Sequence, residues 1–261
     1  MNDINKANKT NKMVEVKNIS LSYTNKKEVL KNISFDVNSN ESLCIIGPNG
    51  CGKSTLLKSL CKIINFDEGE ILINNENIKK VDTYKTIAMM SQMSAIYFGY
   101  TAYDTIMMGR YSSYKDKLLS IPSKEDKEFV IYYMEKLKIV HLKDKLITEL
   151  SGGELQRIFL ARTLVQDPSI ILMDEPTNHL DLNSQIELIY NLKEWVGNGL
   201  RCIIAVLHDI NAALNFANKL LVLKNGSSKY FGSIDDFDMR LLNDIYDINV
   251  IEYMKKSLKR W

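Results

Sequence analysis

Residues 43–46, Leu-Cys-Ile-Ile, form a short, wholly apolar run that passes directly into Gly47-Pro48-Asn49-Gly50-Cys51-Gly52-Lys53-Ser54-Thr55. An apolar run of this length bounded by a glycine reads as a buried strand, and the residues from Ser54 to about Cys61 have helical spacing. Strand, glycine-rich turn and helix in that order fit the pattern G-x-x-x-x-G-K-[ST] in its confirming context. Its glycines let backbone N–H groups wrap a phosphate, and the helix start adds about half a positive charge. Lys53 is expected to reach β- and γ-phosphates. One such contact at about 4 Å and an effective dielectric near 20 is worth roughly 4 kcal/mol before desolvation. Ser54 is expected to hold Mg²⁺.

The surrounding pattern predicts an α/β protein. Upstream, Val14-x-Val16, Leu21-x-Tyr23 and Ile33-x-Phe35-x-Val37 alternate as antiparallel strands with one covered face, and further strands are expected at 70–73 and 86–91. From 101 to 166 the period is helical, with helices expected at 101–110, 123–140 and 152–166. After Pro168 the chain returns to alternation: a buried strand at 169–173, a helix at about 182–196, a strand at 201–207 and another helix. Asn225-Gly226 marks a last hairpin between 220–223 and 229–231. The expected organisation is an N-terminal tail at 1–12 and a domain at 13–240. Its core would be built from 13–92 and 167–240 around a helical subdomain at 93–166, with a C-terminal extension at 241–261 following.

Composition excludes several classes. The 34 Lys and Arg against 32 Asp and Glu leave a formal charge of +2, so no broad cationic field marks a nucleic-acid binder. Nucleic acid is not an expected partner. No run approaches the roughly 18 apolar residues of a membrane span, and the Asn- and Lys-rich start has no apolar segment of a secretory signal. The cysteines Cys44, Cys51, Cys61 and Cys202 show no Cys-x-x-Cys and no histidine at metal spacing, which favours reduced thiols. Cys51, among loop N–H groups and beside Lys53, is expected to have a lowered pKa or to be a filler side chain pointing away.

Two further segments carry chemistry. Ile170-Ile171-Leu172-Met173 ends in Asp174-Glu175, at the carboxyl end of a strand where ligands of open α/β sheets sit. Asp174 would contact Mg²⁺, and Glu175 would polarise an attacking water as general base. Leu150-Ser151-Gly152-Gly153-Glu154-Leu155-Gln156-Arg157 opens a helix, with Ser151 and Glu154 as a capping box. The box does not explain Gly152-Gly153, each costing about 1 kcal/mol relative to Ala. That cost makes sense where another molecule's phosphates approach the backbone closely.

In their order these motifs resemble the ATP-binding cassette (ABC) ATPases over nearly the whole chain, from Val14 to about Phe237. The resemblance implies a P-loop NTPase (RecA-like) core with an antiparallel β subdomain and an inserted α-helical signature subdomain. Gly47, Pro48, Asn49, Gly50, Cys51, Gly52, Lys53, Ser54 and Thr55 would then be the Walker A loop, and Asp174 and Glu175 the Walker B pair. Ser151, Gly152, Gly153 and Glu154 would belong to the signature, Glu154 standing where Gln is commoner. Gln92 would contact Mg²⁺ or the lytic water, Asp181 would lie in the D-loop, and His208 would position the γ-phosphate. Tyr23 is similar to the aromatic that stacks on adenine, although by itself it reads as an aromatic on a half-buried strand. His141 and His179 read as structural, with His179 near the dimer seam. The implied assembly is a head-to-tail homodimer sandwiching two ATP molecules.

The segment Thr101-Ala102-Tyr103-Asp104-Thr105-Ile106-Met107-Met108-Gly109-Arg110-Tyr111 resembles the ATPases of ferric-siderophore, haem and cobalamin importers, as does Val206-Leu207-His208-Asp209-Ile210-Asn211-Ala212-Ala213. By that resemblance the protein energises import through separate membrane permease subunits at the cytoplasmic face. A substrate-binding lipoprotein or periplasmic protein would be an indirect partner. Met107, Met108 and the nearby tyrosines read either as a groove for the permease or as the core of an amphipathic helix. The cargo this resemblance implies is an iron chelate, a ferric siderophore, with cobalamin, haem or a metal ion in the same role as alternatives; a soluble non-transport cassette is a further one, opposed by the single cassette in 261 residues.

Overall fold

A computed structural model describes residues 11–23, 28–91, 99–114, 121–177 and 180–258. The chain divides into two compact units, one of the residues up to Val81 with those from Val206 onward, the other Asp82–Ala205.

The first unit begins with β1 (Lys12–Ser22), β2 (Glu28–Asn38), β3 (Ser42–Ile46), α1 (Lys53–Leu60), β4 (Glu68–Ile73) and β5 (Glu76–Asn77). β2, β1, β4 and β5 form an antiparallel sheet in that order. The two apolar runs at 14–16 and 21–23 belong to one strand, β1, although their alternation differs in phase. Asn18 (φ 51°) resolves this, because the register shifts between Val16 and Ile19 and buries Val14, Val16, Ile19 and Leu21 alike. The opposing strand slips in step at Asn32, also at φ 51°.

The second unit holds α2 (Thr83–Thr86), β6 (Ile87–Met90), α3 (Ala102–Met107), α4 (Tyr111–Tyr114), α5 (Lys124–Lys136), α6 (Gly152–Leu164), β7 (Ile170–Asp174), α7 (Leu182–Gly197) and β8 (Cys202–Val206). β6 runs parallel to β7, from Ile87 opposite Ile170 to Met90 opposite Met173, and β8 is the next strand beyond β7. Every residue of β7 and β8 is buried, as their uninterrupted apolar sequence requires. The helix expected at 101–110 is α3 followed by a 3₁₀ turn at Met108–Arg110. There Gly109 presses against α6: a Cβ on it would stand 2.2 Å from the Arg162 carbonyl oxygen. α5 ends at Lys136, short of the expected 140, because Lys138 adopts φ 58° and closes a Schellman motif. The Ile139 N–H bonds the Met134 carbonyl and the Lys138 N–H the Glu135 carbonyl.

One buried carboxylate ties these helices together. Asp126 Oδ1 accepts from Arg110 Nε and Nη2, both at 2.9 Å, and from Ser113 Oγ at 2.7 Å. Its Oδ2 accepts from the Ser123 N–H at 3.0 Å and Ser123 Oγ at 2.9 Å. Arg110 Nη1 also donates to the Val165 carbonyl at the end of α6, 2.9 Å away.

The chain then returns to the first unit with α8 (Ile210–Phe216), β9 (Lys219–Lys224), β10 (Ser227–Ser233), α9 (Leu241–Tyr246) and α10 (Val250–Leu258). β9 lies parallel to β3, with Cys44 opposite Leu220 and Ile46 opposite Val222. It turns into β10 at Asn225 and Gly226, both with positive φ, as a type I′ hairpin demands. The last two helices occupy the segment that sequence patterning left without secondary structure. No helix among the described residues is long and apolar enough to cross a membrane.

Candidate active site

In the first unit the glycine-rich loop leaves the buried strand β3 and enters α1, as its sequence predicts. Gly47 opens it at φ 149°, where a Cβ would stand 2.1 Å from the Leu223 carbonyl oxygen of β9, so only glycine lets the loop lie this close to the sheet. Lys53 is 6% exposed, and its ammonium donates to the carbonyls of Gly47 at 2.7 Å and Pro48 at 3.0 Å. The N-cap of α1 is Gly52, which has no side chain to cap with, and the first turn carries no acidic residue. A glycine-capped helix start whose first turn carries no acidic residue, and whose first residue is a buried lysine, suits an anion.

Tyr23 stands at the end of β1, 46% exposed, with its hydroxyl 3.2 Å from Thr55 Oγ1 in α1. The fold thus brings Tyr23 and Thr55 together and leaves the tyrosine ring accessible for stacking. His208 is exposed between β8 and α8, directly before Asp209, whose carboxylate caps α8 by accepting from the N–H groups of Asn211 and Ala212.

In the second unit β7 delivers Asp174, 8% exposed, at its carboxyl end. Glu175 follows at φ 55°, left-handed geometry that costs a non-glycine residue on the order of 1 kcal/mol or more. The buried Gln156 of α6 holds the next residue by donating from its amide to the Pro176 carbonyl. α6 opens with a complete capping box: Glu154 Oε2 accepts from the Ser151 N–H at 2.9 Å and Oγ at 2.7 Å. Those Ser151 bonds hold the Glu154 carboxyl below its ordinary range, so it stays ionised. Ser151 and Gly152 are exposed. Asp181 caps α7, accepting from the Ser184 N–H at 2.8 Å, and Ser184 Oγ would lie 3.2 Å from a Cβ on Gly153. Asp181 and the signature glycines are thus brought together through Ser184. Sequence analysis passed over Ser184, although an Asp three residues before a Ser at a helix start is a readable capping signal. Gln92 and His179 lie outside the described residues.

The Cys51 expectation needs correction. Burial pushes its thiol up and outweighs the nearby Lys53 charge and the backbone N–H bonds that pull the other way. Alkylation of Cys51 in the folded protein at neutral pH is therefore expected to run at least about tenfold slower than in urea, where it approaches an ordinary thiol. Site-resolved mass spectrometry of timed iodoacetamide reactions measures this, and equal rates in both states would refute it.

The donors suit a nucleotide polyphosphate with Mg²⁺. Among the described residues no group of three or more His, Cys, Asp or Glu side chains gathers to hold a metal. Mg²⁺ takes one or two protein ligands with phosphates and water, so it needs no such cage. The loop with its buried lysine in the first unit, and the strand-end carboxylates in the second, are each a feature of P-loop nucleotide hydrolases.

The comparisons with known proteins narrow that class. The ABC transporter family matches residues 30–178, and the chain belongs to it. It is 33% identical over 242 residues to the petrobactin import ATP-binding protein YclP of Bacillus subtilis, covering 91% of this chain and 94% of that one. It is 36% identical over 224 residues to the hemin import ATP-binding protein HmuV of Vibrio parahaemolyticus, covering 80% and 81%. A solved structure described as an inward-facing conformation of a metal-chelate type ABC transporter aligns with a TM-score of 0.79 at 28% identity, over 91% of this chain and 89% of that one. The fold is the α/β P-loop fold of ATP-binding cassettes, and the protein is an ATPase.

Proposed function

We propose that two copies of this chain bind Mg-ATP, close on it, hydrolyse it and reopen, driving import of a ferric siderophore through separate membrane permease subunits. The observation that carries this reading is the open start of α6. Ser151 and Gly152 are exposed on a helix whose two leading glycines weaken it, an arrangement suited to the phosphates of a nucleotide held by a second copy. In this scheme Tyr23 stacks on adenine, and the loop residues from Gly47 to Thr55, with Lys53, hold the phosphates. Ser54, Asp174 and Gln92 are the Mg²⁺ contacts. Glu175 accepts a proton from the attacking water, His208 positions the γ-phosphate, and Asp181 shapes the dimer seam through its cap on α7.

An iron chelate as cargo is supported by the names of the petrobactin and metal-chelate relatives and by the segment from Thr101 to Arg110. The hemin relative favours haem as the second reading, ahead of cobalamin or a metal ion. Docking on a permease places the chain at the cytoplasmic face of the membrane as a peripheral subunit, with a substrate-binding lipoprotein or periplasmic protein beyond it. Exposed Met108 and Tyr111 are the apolar anchors offered to that permease.

Uptake of radiolabelled ferric siderophore under iron limitation tests the cargo, in cells expressing either the native chain or Glu175→Gln at equal levels. Uptake is expected to collapse in the variant alone. Unchanged uptake, with the purified native protein still hydrolysing ATP, would overturn the siderophore assignment and make haem the next substrate to test.

A further inference from the structure

Glu175 is held in a conformation that its neighbour in sequence disfavours. A residue directly before a proline is pushed by the proline ring towards extended backbone, and Glu175 precedes Pro176, yet it adopts φ 55°. Such backbone persists only where its surroundings over-determine it, and this turn is clamped on both sides. Before it, Asp174 ends β7, all of whose residues are buried and whose Met173 lies opposite Met90 of β6. After it, Pro176 and Thr177 are buried.

Proline has no N–H, so the carbonyl is the one backbone polar group by which Pro176 can be anchored. The side-chain amide of Gln156 donates to it at 2.5 Å. Gln156 is itself 8% exposed, on the second turn of α6, and its bond crosses from that helix to the turn after β7. A buried carbonyl that loses its donor has no bulk water to replace it, so removing this amide favours any relaxation of the turn that satisfies the oxygen. Glu175, joined to Pro176, moves with it.

We propose that Gln156 is a positioning residue for ATP hydrolysis, anchoring Pro176 so that the strained turn before it aims the Glu175 carboxylate at the attacking water. The proposal rests on the assignment of Glu175 as the general base. Displacing a reacting group by about 1 Å can cost on the order of 10²-fold in rate. Lys53 and its loop belong to the first unit and take no part in this bond, so the effect belongs in kcat and leaves ATP binding unchanged.

The test uses the full-length protein as native, Gln156→Met, Gln156→Asn, Thr163→Val, Glu175→Gln and the double variant Gln156→Met with Glu175→Gln. It measures kcat for ATP, single-turnover hydrolysis where turnover is slow, and Kd for fluorescent mant-ATP with Mg²⁺. Gln156→Met keeps the length of the side chain without the donor, and Gln156→Asn leaves the amide a methylene short of the carbonyl. Each is expected to lower kcat about 10- to 100-fold with Kd within about twofold. Thr163→Val removes a different hydrogen bond of α6, from Thr163 Oγ1 to the Phe159 carbonyl at 2.8 Å, and is expected to keep kcat within about twofold. In the Glu175→Gln background, Gln156→Met is expected to slow the residual hydrolysis by less than about twofold, because the carboxylate it positions is already gone. A full further loss in that background would show that Gln156 acts elsewhere, and a matching fall of kcat in Thr163→Val would show that any loosening of α6 suffices; either result overturns the proposal. Native turnover by Glu175→Gln would overturn the base assignment and this inference with it. Loss of turnover in Glu175→Gln with native kcat in both Gln156 variants would overturn the positioning role alone.

Discussion

Glu175→Gln is expected to lower ATP turnover by about 10²- to 10⁴-fold, the range set by removing a positioned general base, while leaving nucleotide binding intact. The amide keeps the size of the side chain and the backbone at φ 55°, so the turn after β7 and the Gln156 bond to Pro176 should persist. What is lost is a carboxylate able to accept a proton from water. Phosphate release at saturating Mg-ATP measures the first effect. The variant is also expected to accumulate as an ATP-bound dimer, since closure no longer ends in hydrolysis. Size-exclusion elution with and without ATP reports this, and equal volumes would count against the paired arrangement.

Arg110→Ala is expected to destabilise the protein by about 3 kcal/mol, because it leaves the buried Asp126 carboxylate without its charged partner. The loss has a definite pH dependence. Burial by itself pushes the Asp126 carboxyl up, but the Ser113 hydroxyl, the Ser123 N–H and hydroxyl and the Arg110 guanidinium together hold it well below the ordinary range. A folded-state pKa below the unfolded value of about 3.9 contributes stability that is fully present above that value. It fades as pH falls toward the folded pKa. In Arg110→Ala the folded pKa moves back toward the ordinary one, so the gap between native and variant should narrow from pH 7 toward pH 3. Urea unfolding across that range measures it, and a gap independent of pH would show that the destabilisation is lost packing against Phe129.

The same contacts recast the segment that suggested the cargo. Thr101 caps α3, its Oγ1 accepting from the Asp104 N–H at 3.0 Å and donating to Asp104 Oδ2 at 2.6 Å. Gly109 allows the approach to α6, and Arg110 holds Asp126 and Val165. The pattern of Thr, Asp, Gly and Arg is thus built into the packing of the helical unit. Met107 is buried, as an amphipathic helix requires, and the permease reading passes to exposed Met108 and Tyr111.

The sequence alone determined whatever depends on neighbours a few residues apart. The buried strand before the glycine loop, the capping box of Ser151 and Glu154, and the hairpin at Asn225-Gly226 are local matters of hydrophobic period, cap chemistry and allowed φ. Only the tertiary structure decided the rest. It set the burial that raises the Cys51 thiol, the phase slip that makes one strand of two runs, and the pairing of Arg110 with Asp126. Such contacts leave no period in the sequence, because each is chosen by packing between elements and not by the residues beside it.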